Sequence, residues 1–179
     1  MRTSGKQQAT RYVAFLRGVS PVNAKMADLR ACFEAMFFTE VRTILSSGNV
    51  AFTTALTNES TLAKSIEAGM SKHLARSFPV IVRKSEYLQA LMQTDPYSGF
   101  ALSATAKRVV SFLSQPHEGT LFLPIEGEGA RILSMADQEV FTEYVLSEQG
   151  PIFMALIEKT FGKNITTRTW KTVSKCAAA

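Results

Sequence analysis

The chain has 179 residues, of which 46% are hydrophobic and 20% charged, and its formal net charge is +5. That balance suits a globular protein with a sizeable core, and no apolar run approaches the roughly 20 residues that span a bilayer, so no membrane partner is expected. Cys32 and Cys176 are too few for a disulfide scaffold, and the polar residues 1–8 lead into no apolar segment of the secretory kind. The expectation is a reduced, cytoplasmic protein.

Taken in chain order, residues 1–10 read as a flexible tail. Residues 11–19 form a β-rich apolar run closed by Arg17 and Gly18, followed by a turn containing Pro21 and Asn23. From residue 26 to 38, Leu29, Cys32, Phe33, Met36 and Phe37 repeat at helical spacing. Residues 41–45 and 50–54 read as strands around Ser46, Ser47, Gly48 and Asn49, a glycine-containing hairpin turn. A second helix is predicted over residues 60–75, with Leu62, Ile66, Met70, His73 and Leu74 on one side. Residues 78–83 close the unit, and Pro79 argues for a strand start or a sheet edge.

The order strand–helix–strand–strand–helix–strand is that of the ferredoxin-like split βαβ. Beyond it, Ser85 suits a helix N-cap, and residues 107–115 hold a clear strand. Residues 116–130, with Pro116, Gly119, Pro124, Gly127 and Gly129, read as loop with at most a helical turn. Residues 131–135 and 139–145 suggest a hairpin turning at Asp137 and Gln138. Pro151 suits the first position of a helix stopped by Gly162. Residues 164–167 are a short strand or the lead-in to a last helix over 169–177. The predicted class is therefore α+β: two ferredoxin-like subdomains with antiparallel sheets, packed together and divided as residues 11–84 and 85–179.

Three motifs carry a resemblance to a known family. They are Tyr12 to Gly18, Val41-Arg42-Thr43 with Ser47-Gly48-Asn49-Val50, and Thr166-Thr167-Arg168 with Trp170. In order and spacing they resemble the small, mostly bacterial domain of unknown function 1697, over residues 11 to about 177. The resemblance implies a pair of ferredoxin-like subdomains and supplies no activity, cofactor or substrate. Two departures bear on any ligand. The family continues after its Arg-Gly with a glycine-rich turn, whereas this chain has Val19-Ser20-Pro21-Val22-Asn23. Before its penultimate helix the family often has Ser-Lys, where this chain has Gly150-Pro151-Ile152-Phe153.

Catalytic sets are hard to assemble from these residues. His73 and His117 have no neighbouring acid or nucleophile in sequence, and the histidines and cysteines lack metal-ligand spacing. Walker, Rossmann and nucleophile-elbow motifs are absent, so no cofactor is expected and the reading leans away from an enzyme. Glu126 and Glu128 read as solvated charges in a mobile loop.

Charge is more suggestive. Residues 11–84 hold ten basic and five acidic groups, and residues 85–179 hold eight and ten. A basic half favours an anionic partner, either a small molecule or a nucleic acid. Thr166 or Thr167 can cap the last helix, whose N-terminal N–H groups favour an anion, and Arg168 adds a guanidinium fork. Lys171 and Lys175 share one face. Arg17, Ser47, Asn49, Thr167, Arg168 and Lys171 are thus the candidate ligand-binding residues. The blander alternative is a capped terminal helix anchored by Trp170, with Asn49 holding its turn. A non-enzymatic binding module for a phosphate- or nucleotide-like partner leads. The alternatives are a small enzyme acting on such a substrate, and an RNA-recognition-like binder that stacks bases on Tyr12 or Phe15 and Phe52.

Overall fold

The computed structural model describes residues 8–55, 58–127, 129–150 and 152–179. The expected tail lies outside the described residues as far as residue 7, and Thr10 already opens a strand. The first unit contains β1 (Thr10–Leu16), α1 (Met26–Ala35), β2 (Thr39–Ile44), β3 (Asn49–Thr54), α2 (Glu59–Leu74) and β4 (Val80–Lys84). Its sheet is antiparallel in the order β2-β3-β1-β4, the strand order of a split βαβ.

Strand alternation decides which side chains meet the helices. Tyr12, Ala14 and Leu16 of β1, with Val50 and Phe52 of β3 and Val80 and Val82 of β4, pack against Leu29, Phe33, Leu62, Ile66 and Met70. The intervening Val13, Phe15, Ala51 and Ile81 point to the opposite face and are buried as well. An aromatic cluster fixes the helix side: Phe52 lies 5.8 Å from Tyr12, 5.5 Å from Phe33 and 4.6 Å from Phe38 between ring centroids. Such pairs each add about 0.5–1.5 kcal/mol beyond their buried area.

As Pro79 suggested, β4 is an edge strand. Two glutamates of α2 satisfy its backbone donors: Glu67 Oε1 accepts from Val80 N at 2.9 Å and Glu59 Oε1 from Lys84 N at 2.9 Å. Asn58 caps α2, its Oδ1 accepting from Thr61 N at 2.8 Å.

Two expectations for these helices need correction. The first helix stops at Ala35, and Phe37 adopts φ +63 and is 93% exposed. The left-handed residue lets Phe38 N bond back to Phe33 O and carries the Phe38 ring into the core in place of Phe37. On α2, Leu62, Ile66 and Met70 face inward as expected, but His73 is exposed.

The second unit contains α3 (Ser85–Thr94), β5 (Lys107–Leu113), β6 (Ile125–Gly127), β7 (Ala130–Ala136), β8 (Glu139–Tyr144), α4 (Phe153–Phe161), β9 (Ile165–Thr169) and α5 (Trp170–Ala177). By contacts the chain divides inside α3 and α5: the second unit is Gln89–Lys175, and Cys176–Ala179 go with the first. Its sheet is antiparallel in the order β6-β7-β8-β5-β9. The series β7-β8-β5-β9 repeats β2-β3-β1-β4, with α4 in the place of α2. No helix stands among the described residues between β5 and β7, where the first unit has α1. The edge strand β6 lies there instead, so Glu126 and Gly127 belong to a strand rather than to the expected loop; Glu128 lies outside the described residues. Val109, Leu113, Ile132, Val140 and Ile165 form the core under Phe153, Leu156 and Ile157.

Further corrections concern element ends. Ser85 is the first helical residue of α3 and its buried hydroxyl makes no hydrogen bond, so it does not serve as a cap. The helix expected to begin at Pro151 begins at Phe153, and Pro151 itself lies outside the described residues. Cys176, close to the end of α5, is fully buried.

The β2–β3 turn is closely packed. Gly48 has φ +77, and a Cβ placed on it would lie 2.7 Å from Val19 Cβ and 3.1 Å from Leu16 Cβ. Gly48→Ala is therefore expected to lose about 2–4 kcal/mol of unfolding free energy, combining the left-handed penalty with overpacking. Urea denaturation checks this, and a change below about 0.5 kcal/mol, within the range of ordinary surface substitutions, would contradict the packing.

Candidate functional site

Arg17, Ser47 and Asn49 belong to the first unit, where β1 ends and β3 begins. Asn49 is fully buried in β3, and its Nδ2 donates to Ile44 O at 2.9 Å and Ser47 Oγ at 3.0 Å. It thus ties the hairpin together, the role left open as its alternative. Arg17 is half-buried and its backbone N–H donates to Pro79 O at 2.9 Å.

The loop that replaces the family's glycine-rich turn is closed on itself. Ser20 N donates to Asn23 Oδ1 at 2.9 Å, Asn23 Nδ2 to Gly18 O at 2.7 Å, and the Asn23 and Ala24 amides to Ser20 O. Pro21 has no N–H to offer. With Ser20, Asn23 and Ala24 committed in this way, this stretch is a poor backbone cradle for an anion.

Thr167, Arg168 and Lys171 belong to the second unit. Thr167 and Arg168 lie inside β9, so neither Thr166 nor Thr167 caps the last helix. The cap is Thr169, whose Oγ1 accepts from Thr172 N at 3.2 Å. The motif thus ends a strand before it opens a helix. Thr167 exchanges a 2.7 Å hydroxyl hydrogen bond with Ser111, its partner across β5. Arg168 stands opposite Val110 and is half-buried, with one guanidinium nitrogen donating to Thr167 O at 2.9 Å. Lys171 is exposed on α5, as is Lys175 one turn on.

Trp170 does act as an anchor. Its ring meets the edge of Tyr97 at 5.2 Å, and Tyr97 also packs on Phe141 at 5.8 Å. The Tyr97 hydroxyl donates to Val109 O at 2.6 Å, and the Arg108 guanidinium stands 5.5 Å from its ring centre. Burial pushes the phenol pKa far upward, opposed in part by Arg108.

The aromatics considered for base stacking are not available for it. Tyr12 and Phe52 are fully buried and stack on each other beneath the helices, because they are register partners on the inward face. Phe15 is fully buried too. His73 is exposed, and His117 rests against Phe161 at 5.2 Å. Among the described residues, no three metal-capable side chains gather in one place, and no helix is long and apolar enough to cross a membrane.

One feature of the second unit escaped sequence reasoning. A groove of about 510 Å³ is lined by Ser103, Glu126, Arg131, Glu143 and Tyr144 among others. Arg131 and Glu143 face each other across β7 and β8, with Arg131 Nε donating to Glu143 Oε1 at 2.7 Å. The signal was cross-strand register in the predicted hairpin, but a bulge between Ile132 and Ser134 shifts that register by one.

Fold and side chains together define a small α+β protein of two antiparallel sheets, with its candidate polar groups placed mainly at strand ends. The chain belongs to the family described as Protein of unknown function (DUF1697), whose model matches residues 9–141. It is also similar to a solved structure, that of the conserved bacterial protein SP0830 from Streptococcus pneumoniae. The TM-score is 0.70 at 20% identity, covering 96% of this chain and 98% of that one. That likeness establishes the fold. No curated protein matches the chain.

The raised Tyr97 pKa sets a pH dependence. A phenol that titrates near 10 when unfolded but higher when folded contributes stability below about pH 10, and that contribution is lost as pH rises further. Tyr97→Phe is expected to cost about 1 kcal/mol at neutral pH through the lost hydrogen bond. It is also expected to flatten the alkaline fall in stability by up to about 1.4 kcal/mol per pH unit. Urea melts from pH 8 to 11 on both proteins check this, and parallel curves would contradict it.

Proposed function

We propose that the protein is a non-enzymatic binding module for an anionic, phosphate- or nucleotide-like partner. In this reading each unit offers contacts of its own: Arg17 and Ser47 in the first, Arg168 and Lys171 in the second. Asn49 and Thr167 hold the backbone that presents them. The supporting observation is how the first unit uses its acids. Glu34 pairs with Arg30, Glu40 bonds Thr53 beside Arg11, and Glu59 and Glu67 hold the amides of β4. With four of the five acidic groups of residues 11–84 so committed, the ten basic groups there leave a positive field that attracts anions.

Thermal shift with ATP, a sugar phosphate and a short RNA tests this reading. For at least one probe, the expected result is a Tm that rises with ligand concentration. Stabilisation should reach about 2.7 kcal/mol at a hundred times Kd. The shift should shrink in high salt and be reduced in Arg17→Ala, in Arg168→Ala or in both. Absence of any shift, or equal shifts in wild type and both variants, would overturn the proposal.

A further inference from the structure

The edge strand β4 carries a buried β-branched run, Val80, Ile81 and Val82. Such a strand, with unpaired backbone groups along one side, is a template for pairing with another chain. Arg17 N donates to Pro79 O, and steps of two residues carry that ladder to Phe15 with Ile81 and Val13 with Arg83. Val80, Val82 and Lys84 therefore turn their backbone groups away from the sheet.

Each of these residues has one outward group taken by a side chain. Glu67 Oε1 accepts from Val80 N and Glu59 Oε1 from Lys84 N, each at 2.9 Å. Between them Arg83 Nη1 donates to Val82 O at 2.9 Å, and Glu59 Oε2 lies 4.0 Å from the same nitrogen. The outward row is also complementary to itself. Val80 and Lys84 flank Val82 at equal spacing, so a two-fold axis at Val82 sets Val80 of each chain opposite Lys84 of the other. A second copy of this chain is thus the partner that fits the edge. We infer that Glu59, Glu67 and Arg83 guard β4, an autoinhibitory contact that keeps this edge from pairing with β4 of a second copy. The guard shares no residue with the anion contacts proposed above. Its carboxylates act as hydrogen-bond acceptors, so glutamine, whose Oε1 also accepts, preserves it and alanine does not.

Sedimentation velocity on the full chain tests this with two double variants, Glu59→Ala with Glu67→Ala and Glu59→Gln with Glu67→Gln. The alanine pair is expected to associate, reaching about twice the wild-type mass at about 100 μM, while the glutamine pair sediments as wild type. Hydrogen exchange locates the contact. In the alanine pair, the amides of Val80, Val82 and Lys84 should exchange at least about tenfold more slowly at about 100 μM than at about 1 μM. Should the alanine pair fail to fold, Glu59→Ala alone, at a half-buried position, gives the same readings with weaker association. A folded alanine variant that keeps the wild-type mass would overturn the inference. So would equal association of the glutamine pair, or association that slows exchange only outside residues 80–84.

Discussion

Burial of the two central strands on both faces is the constraint on which the rest of this structure depends. From Tyr12 to Leu16, and again from Val109 to Leu113, every side chain is buried. A strand in that position has no room along its length for a guanidinium or a carboxylate. Apart from the Tyr12 phenol, the polar side chain in these stretches is Ser111, which is matched by a hydroxyl across the sheet. Three of the candidate polar groups lie at strand ends or on an edge strand. Arg17 follows β1, Ser47 precedes β3, and Arg168 lies on the edge strand β9.

That same constraint explains what was legible in the sequence. Apolar runs with β-branched residues, and helical spacing over Leu29, Cys32 and Phe33, were enough to place most elements and the split βαβ order. Three motifs together, Tyr12 to Gly18, Val41–Thr43 with Ser47–Val50, and Thr166–Arg168 with Trp170, also sufficed for the family. Element ends were less legible, because tertiary contacts set them. Phe37 was read as a core residue by periodicity, but a left-handed turn gives that place to Phe38. Thr167 was read as a cap because hydroxyls commonly cap helices, yet pairing with β5 kept it in a strand and moved the cap to Thr169.

The candidate site divides along similar lines. Asn49 was legible as a turn residue, and the hairpin bonds it makes account for its complete burial. The Arg131–Glu143 pair was not legible. A hairpin turning at Asp137 and Gln138 without a bulge would set Arg131 opposite Tyr144, and one extra residue near Leu133 moves Glu143 there instead. Bulges leave no clear trace in composition, so a charge pair that depends on one shows only in three dimensions. The loop after Gly18 is the reverse case. Its loss of glycines was visible in the sequence, and its inward-turned hydrogen bonds give the physical consequence.

Charge is distributed in keeping with this division. In the first unit acids are spent on neighbouring amides and arginines, leaving an outward excess of base. In the second, Arg131 and Glu143 pair across β7 and β8. Amide chemical-shift mapping during titration with ATP tests the central claim, that strand-end side chains carry anion recognition, most directly. Saturable changes are expected at residues 17–19 and 46–49 of the first unit and at residues 167–171 of the second. Saturable changes confined to other residues, or none at all, would contradict it.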